Sequence, residues 1–502
     1  MNTFLLALTS IDGPYILFLV LGTIAGYVVG ALPGFSATMG VAIFVPFTYS
    51  MTPNIAFAFL IGLYCSAVFA GSIPAVLIRT PGTPAAICTI YDGYPMAKRG
   101  EAGRALGLAC LASVFGGLFS AIILIAMAGL IAKFALSFGP WEYFMLGLLG
   151  LSLIISMSAD NMIKGLISGI VGLCIPLVGL ESMNGYARFT FGNVQLLAGF
   201  QELPVMIGLF AISEVFIGYS SEHRKYAQNQ KISGLFSGLK DMLNNKWLLI
   251  KSALMGTYLG ALPGVGATTA AIIGYDLARK GSKEPEKMGT GQPEGIIGPE
   301  CANNAVTCGA LIPMLALGIP GDPVTAILLG SLMIHGLQPG PLLFQNSPVI
   351  VKSIYISLIL SYVVILLFST ISINVMAKLL NVKTSILNAF VLLFCIIGSY
   401  ALRNSYFDVY VACAFGFIGY WMRKDGYSLG PLTLSLVLGS MMEQKLSAAL
   451  RTSSNALLFI TRPISGVMFV LTFAIIVVSI YKYIKGGSKS SNEEYPSTSQ
   501  LL

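Results

Sequence analysis

Two stretches of the sequence carry the same chemistry. Gly30-Ala31-Leu32-Pro33-Gly34-Phe35-Ser36-Ala37-Thr38 and Gly260-Ala261-Leu262-Pro263-Gly264-Val265-Gly266-Ala267-Thr268 both set Leu-Pro-Gly within an apolar run. Proline has no N–H to donate and glycine weakens a helix, so a helix breaks there. In hydrocarbon, each freed backbone group is unfavourable by several kcal/mol unless protein or water satisfies it. Carbonyls at the end of the first half-helix suit a cation. N–H groups at the start of the second half, together with the helix dipole, attract an anion. The hydroxyls of Ser36 and Thr38, and of Thr268 and Thr269, can cap the restarted helix or bond a ligand. Candidate substrate-binding residues are therefore Pro33, Gly34, Phe35, Ser36, Ala37 and Thr38 in one stretch, and Pro263, Gly264, Gly266, Ala267, Thr268 and Thr269 in the other. A pair of closely packed kinks is the plain structural alternative, and the symmetric recurrence speaks against it.

A second pair of motifs follows in the same order. Ile73-Pro74 precedes Pro81-Gly82-Thr83-Pro84, and Ile312-Pro313 precedes Pro320-Gly321-Asp322-Pro323. Prolines on both sides of one polar residue make a rigid turn. Pro81, Gly82 and Thr83 join the substrate candidates. Gly321, Asp322, Glu300, Asn303 and Asn304 are candidates for ion coupling; a carboxylate in an otherwise uncharged stretch can ligate a cation or carry a proton. Asp322 can equally be a helix cap. Glu300, Asn303, Asn304 and Thr307 form one polar stripe on a helix opened by Pro299. Such stripes face the interior of a membrane bundle, either as a pathway wall or as interhelical hydrogen bonds. Asp92-Gly93-Tyr94-Pro95 with Lys98, Arg99 and Arg104 reads as a solvated loop entering a helix, His335 as a capping or packing histidine and His223 as a loop residue.

The elements that position these motifs follow from composition. Of 502 residues, 56% are hydrophobic and only 10% charged, against about 25% charged in soluble domains. Mean hydropathy is +0.81. A soluble enzyme, a nucleic-acid binder and a disordered chain are excluded on these figures. Long apolar runs favour an all-α polytopic membrane protein over a barrel, with room for about 10 to 13 crossings. The 55 Gly and 24 Pro suit close packing and breaks between membrane helices. The net charge of +8 fits cytoplasmic-loop bias. The eight Cys form no CxxC pair, and neither a metal site nor a disulfide framework is indicated.

Two motif pairs in register argue for an internal duplication. Lys and Arg give its sense. None occurs before Arg79, whereas the segment entering the second half holds Arg224, Lys225, Lys231, Lys240, Lys246 and Lys251. If each Leu-Pro-Gly is the tip of a re-entrant hairpin, every basic cluster falls on one side, with 79–104 and 279–287 cytoplasmic and 288–351 outside. The expected fold is two inverted structural repeats with broken helices. The expected segments are 1–219 as the first repeat, 220–251 as a polar cytoplasmic linker and 252–463 as the second repeat. Residues 464–485 form a terminal transmembrane helix and 486–502 a disordered polar tail. Broken helices at corresponding places in two repeats are how secondary transporters build their binding sites.

These motifs together make the chain resemble the TctA family, the large membrane subunit of tripartite tricarboxylate transporters. The resemblance rests on Gly30–Thr38, on Pro81–Pro84 through Asp92–Pro95 and Gly103–Leu106, and on Gly260–Thr269. Its longest match runs from Pro299-Glu300-Cys301-Ala302-Asn303-Asn304-Ala305 through Leu317–Gly321 to His335–Pro341. It covers roughly residues 15 to 465. It implies an elevator-type secondary transporter for carboxylates such as citrate, coupled to a sodium or proton gradient and needing no other cofactor. It also implies a small TctB-like membrane subunit, a periplasmic TctC-like binding protein and residence in a bacterial inner membrane. Lipid surrounds such a chain, nucleic acid is not a partner, and a homo-oligomer is compatible with it. Carried over residue by residue, the two Leu-Pro-Gly loops and the Pro-Gly turns are the expected site. Ser36 stands where Gly266 stands in the other half, so the site need not be chemically symmetric.

Two other classes compete with this reading. An intramembrane aspartyl protease needs Gly-x-Gly-Asp, and Ile319 stands where the first Gly belongs; Gly34-Phe35-Ser36-Ala37 lacks the final Gly of a rhomboid-type serine site, and there is no His-Glu-x-x-His. A channel or scaffold subunit is the remaining rival. Broken helices in both halves favour alternating access over an open pore.

Overall fold

The computed structural model describes residues 9, 11–156, 162–181, 183–218, 234–379, 382 and 384–486. His223, the Arg224, Lys225 and Lys231 part of the linker, and the tail from residue 487 lie outside the described residues. The chain is built of helices α1 (Gly13–Ala31), α2 (Ala37–Thr48), α3 (Pro53–Ala70), α4 (Ser72–Ile78), α5 (Thr89–Lys98), α6 (Ala102–Ala135), α7 (Pro140–Ser156), α8 (Met162–Cys174) and α9 (202–218, with a π-helical turn at Ile207–Ile212). There follow α10 (Lys246–Ala261), α11 (Gly266–Gly281), α12 (Glu294–Gly309), α13 (Leu311–Leu317), α14 (Pro323–Ile334), α15 (Pro348–Leu379), α16 (Thr384–Ala401), α17 (Tyr406–Lys424), α18 (Leu429–Thr452) and α19 (Pro463–Gly486). One antiparallel strand pair, Gly179–Leu180 with Ala187–Arg188, sets Gly179 opposite Arg188.

Among the described residues five stretches are long and apolar enough to cross a membrane alone: Gly13–Ala31, Pro53–Ile78, Ala102–Ala135, Pro348–Ile371 and Pro463–Tyr481. The other apolar helices are shorter or carry polar residues. They are tolerable at membrane depth where protein covers their polar groups. The chain is thus an all-α, multi-pass membrane protein.

The glycines set the packing. A Cβ on Gly22, Gly26 or Gly30 would fall 2.0–2.2 Å from a carbonyl oxygen or serine hydroxyl on or beside α3. Gly256 and Gly260 play the same part in the second half, 2.3 and 2.8 Å from the carbonyls of Ala302 and Val306 on α12. Small residues at one-turn spacing let two backbones touch, which is how helices gain dispersion energy where no hydrophobic effect drives them together.

The residue pairings fix helix directions. On α1, Gly22, Gly26 and Gly30 meet Phe59, Leu63 and Ala67 in the same order, so α1 and α3 run parallel. Phe44 meets Phe59 while Gly40 meets Leu63, so α2 runs against α3. The chain therefore doubles back at the first Leu-Pro-Gly. In the second half Gly256 and Gly260 meet Ala302 and Val306 in the same order. Gly274 meets Ala302 while Ala278 meets Gly298, so α11 runs against α12 and the chain doubles back at the second Leu-Pro-Gly as well.

The two hairpins point in opposite senses. Tyr15 and Tyr27 donate to the Ser353 and Ile365 carbonyls at 2.9 and 3.0 Å, which makes α15 parallel to α1. Gly116 lies on the Cys301 carbonyl and Ser120 donates to that of Ala305 at 2.7 Å, which makes α6 parallel to α12. Cys110 meets Ser369 while Gly117 lies under the Tyr362 ring, so α6 and α15 are antiparallel.

Basic loops gather at one end. Arg104 binds Asp241 at 2.8 Å, and Arg99 donates to the Thr290 and Gly291 carbonyls at 2.7 and 2.9 Å, so the start of 288–351 lies at the basic end rather than outside as expected. The solvated-loop reading of 92–95 is corrected here, because these residues lie within α5. Asp92 is buried and accepts from the N–H groups of Gly289, Gly291 and Gln292 and from the Tyr275 hydroxyl.

Candidate functional site

Both Leu-Pro-Gly loops have nearly the same backbone. Leu32 and Leu262 leave their helices at φ/ψ of −88/119 and −90/119. Gly34 and Gly264 follow at φ +85 and +87, a region that side-chain-bearing residues avoid. Each loop rests on a Pro-Gly turn. Gly264 N–H donates to the Gly321 carbonyl at 2.8 Å. A Cβ on Gly82 would fall 2.0 Å from the Gly30 carbonyl, and one on Gly321 2.6 Å from that of Gly260.

A cavity of about 400 Å³ joins the four motifs. Its wall includes Ser36, Ala37 and Thr38 from the first loop, Gly264, Gly266, Ala267, Thr268 and Thr269 from the second, and Thr83 and Asp322 from the turns. Pro33, Gly34, Phe35, Pro263, Pro81, Gly82 and Gly321 belong to these loops and turns but do not line the cavity. Glu300, Asn303 and Asn304 are fully buried away from it. Thr89 and Ser113 donate to the Glu300 carboxylate, Asn304 donates to Ser113 at 2.8 Å, and Thr307 is 2.6 Å from the Tyr362 hydroxyl. This is the interhelical arrangement named as one of the stripe's two readings.

The two turns are held crosswise. Tyr64 and Asn303 stand at equal distance before Pro81 and Pro320. Tyr64 of the first half donates to Asp322 Oδ2 at 2.7 Å, and Asn303 of the second donates to the Ala85 carbonyl at 3.0 Å. Asp322 caps α14, its Oδ1 accepting from Thr325 N–H at 2.7 Å. Thr83, its counterpart, is 3% exposed, and its hydroxyl has no hydrogen-bond partner among the described residues. His335 closes α14 and packs on Phe57.

The helix starts differ. Ser36 Oγ accepts from Met39 N–H at 3.1 Å and caps α2. α11 begins at Gly266, φ +68, with no side-chain cap. Its first N–H groups, with Thr268 and Thr269 beside them, suit an anion.

The sequence reading missed the opposite wall, formed by Lys164, Gly165, Gly426, Ser428, Gly430 and Pro431. Lys164 Nζ donates to the Asp425 carbonyl at 2.5 Å and lies 5.3 Å from the centre of the Tyr427 ring. Among the described residues it is the only cation on the cavity wall and Asp322 the only carboxylate. A lone lysine at the start of an apolar run was the available signal.

No solved structure matches the chain. It is 33% identical over 480 residues, 95% of both chains, to an uncharacterized 52.8 kDa protein in the TAR-I ttuC' 3' region of Agrobacterium vitis. An uncharacterized protein in the TAR-II ttuC' 3' region of the same organism is 32% identical over 231 residues, which is 46% of this chain and 96% of that one. The family model for the tripartite tricarboxylate transporter TctA family matches residues 16–434. With that match, and with the loops it spans meeting at one cavity, the chain belongs to the TctA family, the membrane component of tricarboxylate transporters.

Proposed function

We propose that this chain is the large transmembrane subunit of a binding-protein-dependent secondary transporter that takes up carboxylates, driven by a sodium or proton gradient. One observation carries the reading: both Leu-Pro-Gly loops and both Pro-Gly turns border a single cavity. One carboxylate of the substrate binds the uncapped start of α11 and the Thr268, Thr269 and Thr83 hydroxyls. Lys164 faces it from across the cavity. Carbonyls of the same loops, with Asp322, hold the coupling cation or proton, and the buried Glu300, Asn303 and Asn304 network fixes the turn of the first half.

The two halves are inverted repeats with re-entrant hairpins. The opposed directions of α1 and α3 against α10 and α12 support this. The hairpins and α14 move as a body against the elements bearing Lys164 and Gly426–Pro431, in the elevator manner. The basic end is cytoplasmic by the positive-inside rule, the chain sits in a bacterial inner membrane, and a TctB-like subunit and a TctC-like periplasmic binding protein complete the assembly.

Uptake of labelled citrate and succinate into proteoliposomes, with the partner subunits present and sodium and pH gradients imposed separately, tests the reading. Accumulation against a gradient, abolished by an ionophore, is expected. Equilibration without accumulation would make the chain a channel and overturn it.

A further inference from the structure

A second cavity, of about 470 Å³, lies away from the hairpin tips. Its wall includes Gly199–Pro204, Arg403, Met333, Ile334 and Ser440. Met333, Glu202 and Ser440 also border a neighbouring cavity together with Ala135 and Leu136, where α6 ends. The second cavity is therefore at the end opposite the basic loops. From Arg403 there, α17 runs across the molecule to Gly426 on the first cavity.

The two cavities share a wall motif. Gly199-Phe200-Gln201-Glu202-Leu203-Pro204 lines the second, and Gly426-Tyr427-Ser428-Leu429-Gly430-Pro431 borders the first. In both, the glycine has a positive φ, +66 and +72, and an aromatic residue follows it. In both, a helix starts at the fourth residue, Glu202 of α9 and Leu429 of α18, and its third residue is proline. Each motif has a cation on its cavity, Lys164 at one and Arg403 at the other. The helices that carry the motifs also pack in exchange: Gly208 of α9 lies on the Ala412 carbonyl of α17, and Gly172 of α8 on the Leu432 carbonyl of α18.

We infer that the second cavity is a second station for the carboxylate, the one the hairpin tips face when the path is open to the end opposite the basic loops. The inference rests on the transport reading above. In that state Ser36–Thr38 and Gly264–Thr269 lie against Gly199–Pro204 in place of Gly426–Pro431. Arg403 holds Asp408 with Nε at 2.9 Å and one terminal nitrogen at 2.5 Å. A guanidinium has five N–H donors, so others remain for a substrate carboxylate. Glu202 also borders the cavity, and its Oε2 has no hydrogen-bond partner among the described residues. An acidic acceptor beside an incoming anion favours entry together with a cation or proton, because like charges repel.

Cysteine pairs test the geometry without any substrate. In a chain whose exposed Cys174 is replaced by serine, T268C with Q201C reports the second station and T268C with S428C the first. The pairs are treated in membranes with a short bis-maleimide, and linked peptides are read by mass spectrometry. Both links are expected, each lowering uptake at least tenfold. S36C with Q201C repeats the test from the other hairpin. Single labelling at both positions of each Gln201 pair without a link overturns the second station. If the link forms but proteoliposomes of the unsubstituted chain with its partner subunits take up no carboxylate, the transport reading fails while the geometry stands. R403Q combined with D408N removes the ion pair without burying a lone charge. It is expected to raise KM for uptake at least fivefold at unchanged kcat, and an unchanged KM removes Arg403 from the station.

Discussion

The two hairpin tips have almost the same backbone and different chemistry. At the first tip Ser36 caps α2, and its turn holds the Thr83 hydroxyl, which has no partner among the described residues. The second tip leaves α11 uncapped at Gly266, and its turn holds Asp322, whose oxygens are taken by Thr325 and Tyr64. The uncapped donors, the idle hydroxyl and the engaged carboxylate thus come from different halves. The two Leu-Pro-Gly loops share a frame, and a few side chains make the starts of α2 and α11 differ.

The largest difference between the two tips is expected at their turns. Ala at Gly82 meets the Gly30 carbonyl more closely than Ala at Gly321 meets that of Gly260, 2.0 against 2.6 Å. Overpacking of this kind costs about 1–3 kcal/mol. Thermal melting in detergent should show both variants destabilised, Gly82→Ala more than Gly321→Ala. Equal melting would mean that the turns yield freely.

Next in size is the anion side. A hydrogen bond to a charged group contributes about 1.5–3 kcal/mol, on the order of tenfold or more in affinity. Thr268→Val is expected to raise KM for carboxylate uptake about tenfold, and Thr38→Val less than threefold. The reverse order would move the anion to the first tip.

The smallest effect concerns the cap. Ser36→Ala removes one cap, about 1 kcal/mol. It should lower the melting temperature by a few degrees and leave KM unchanged. A raised KM would place Ser36 on the substrate instead.

Much of this frame was readable in the residues. The spacing of Leu-Pro-Gly and Pro-Gly in two registers marked the loops, and the placement of Lys and Arg led to the expectation of inverted halves. That the four motifs share one cavity could not be read from either half alone, because each Pro-Gly turn is held by a helix of the other half. The roles of Glu300, Asn303 and Asn304 were open for a similar reason. A polar stripe has the same spacing whether it faces a pathway or the serine and threonine of a neighbouring helix. Lys164 and Gly426–Pro431 went unread because each sits in a different segment from the loops it faces. Asp92 was misread because Gly93 and Pro95 signal a turn, whereas the buried carboxylate is satisfied by N–H groups from 289–292.

We propose that the carboxylate sits at the start of α11. A cryo-EM structure of the assembly, with whichever of citrate or succinate the proteoliposomes accumulate, decides this. A carboxylate is expected within hydrogen-bond distance of the Ala267–Thr269 N–H groups and the Thr83 hydroxyl. A substrate held instead at Ser36–Thr38, or away from both tips, would contradict it.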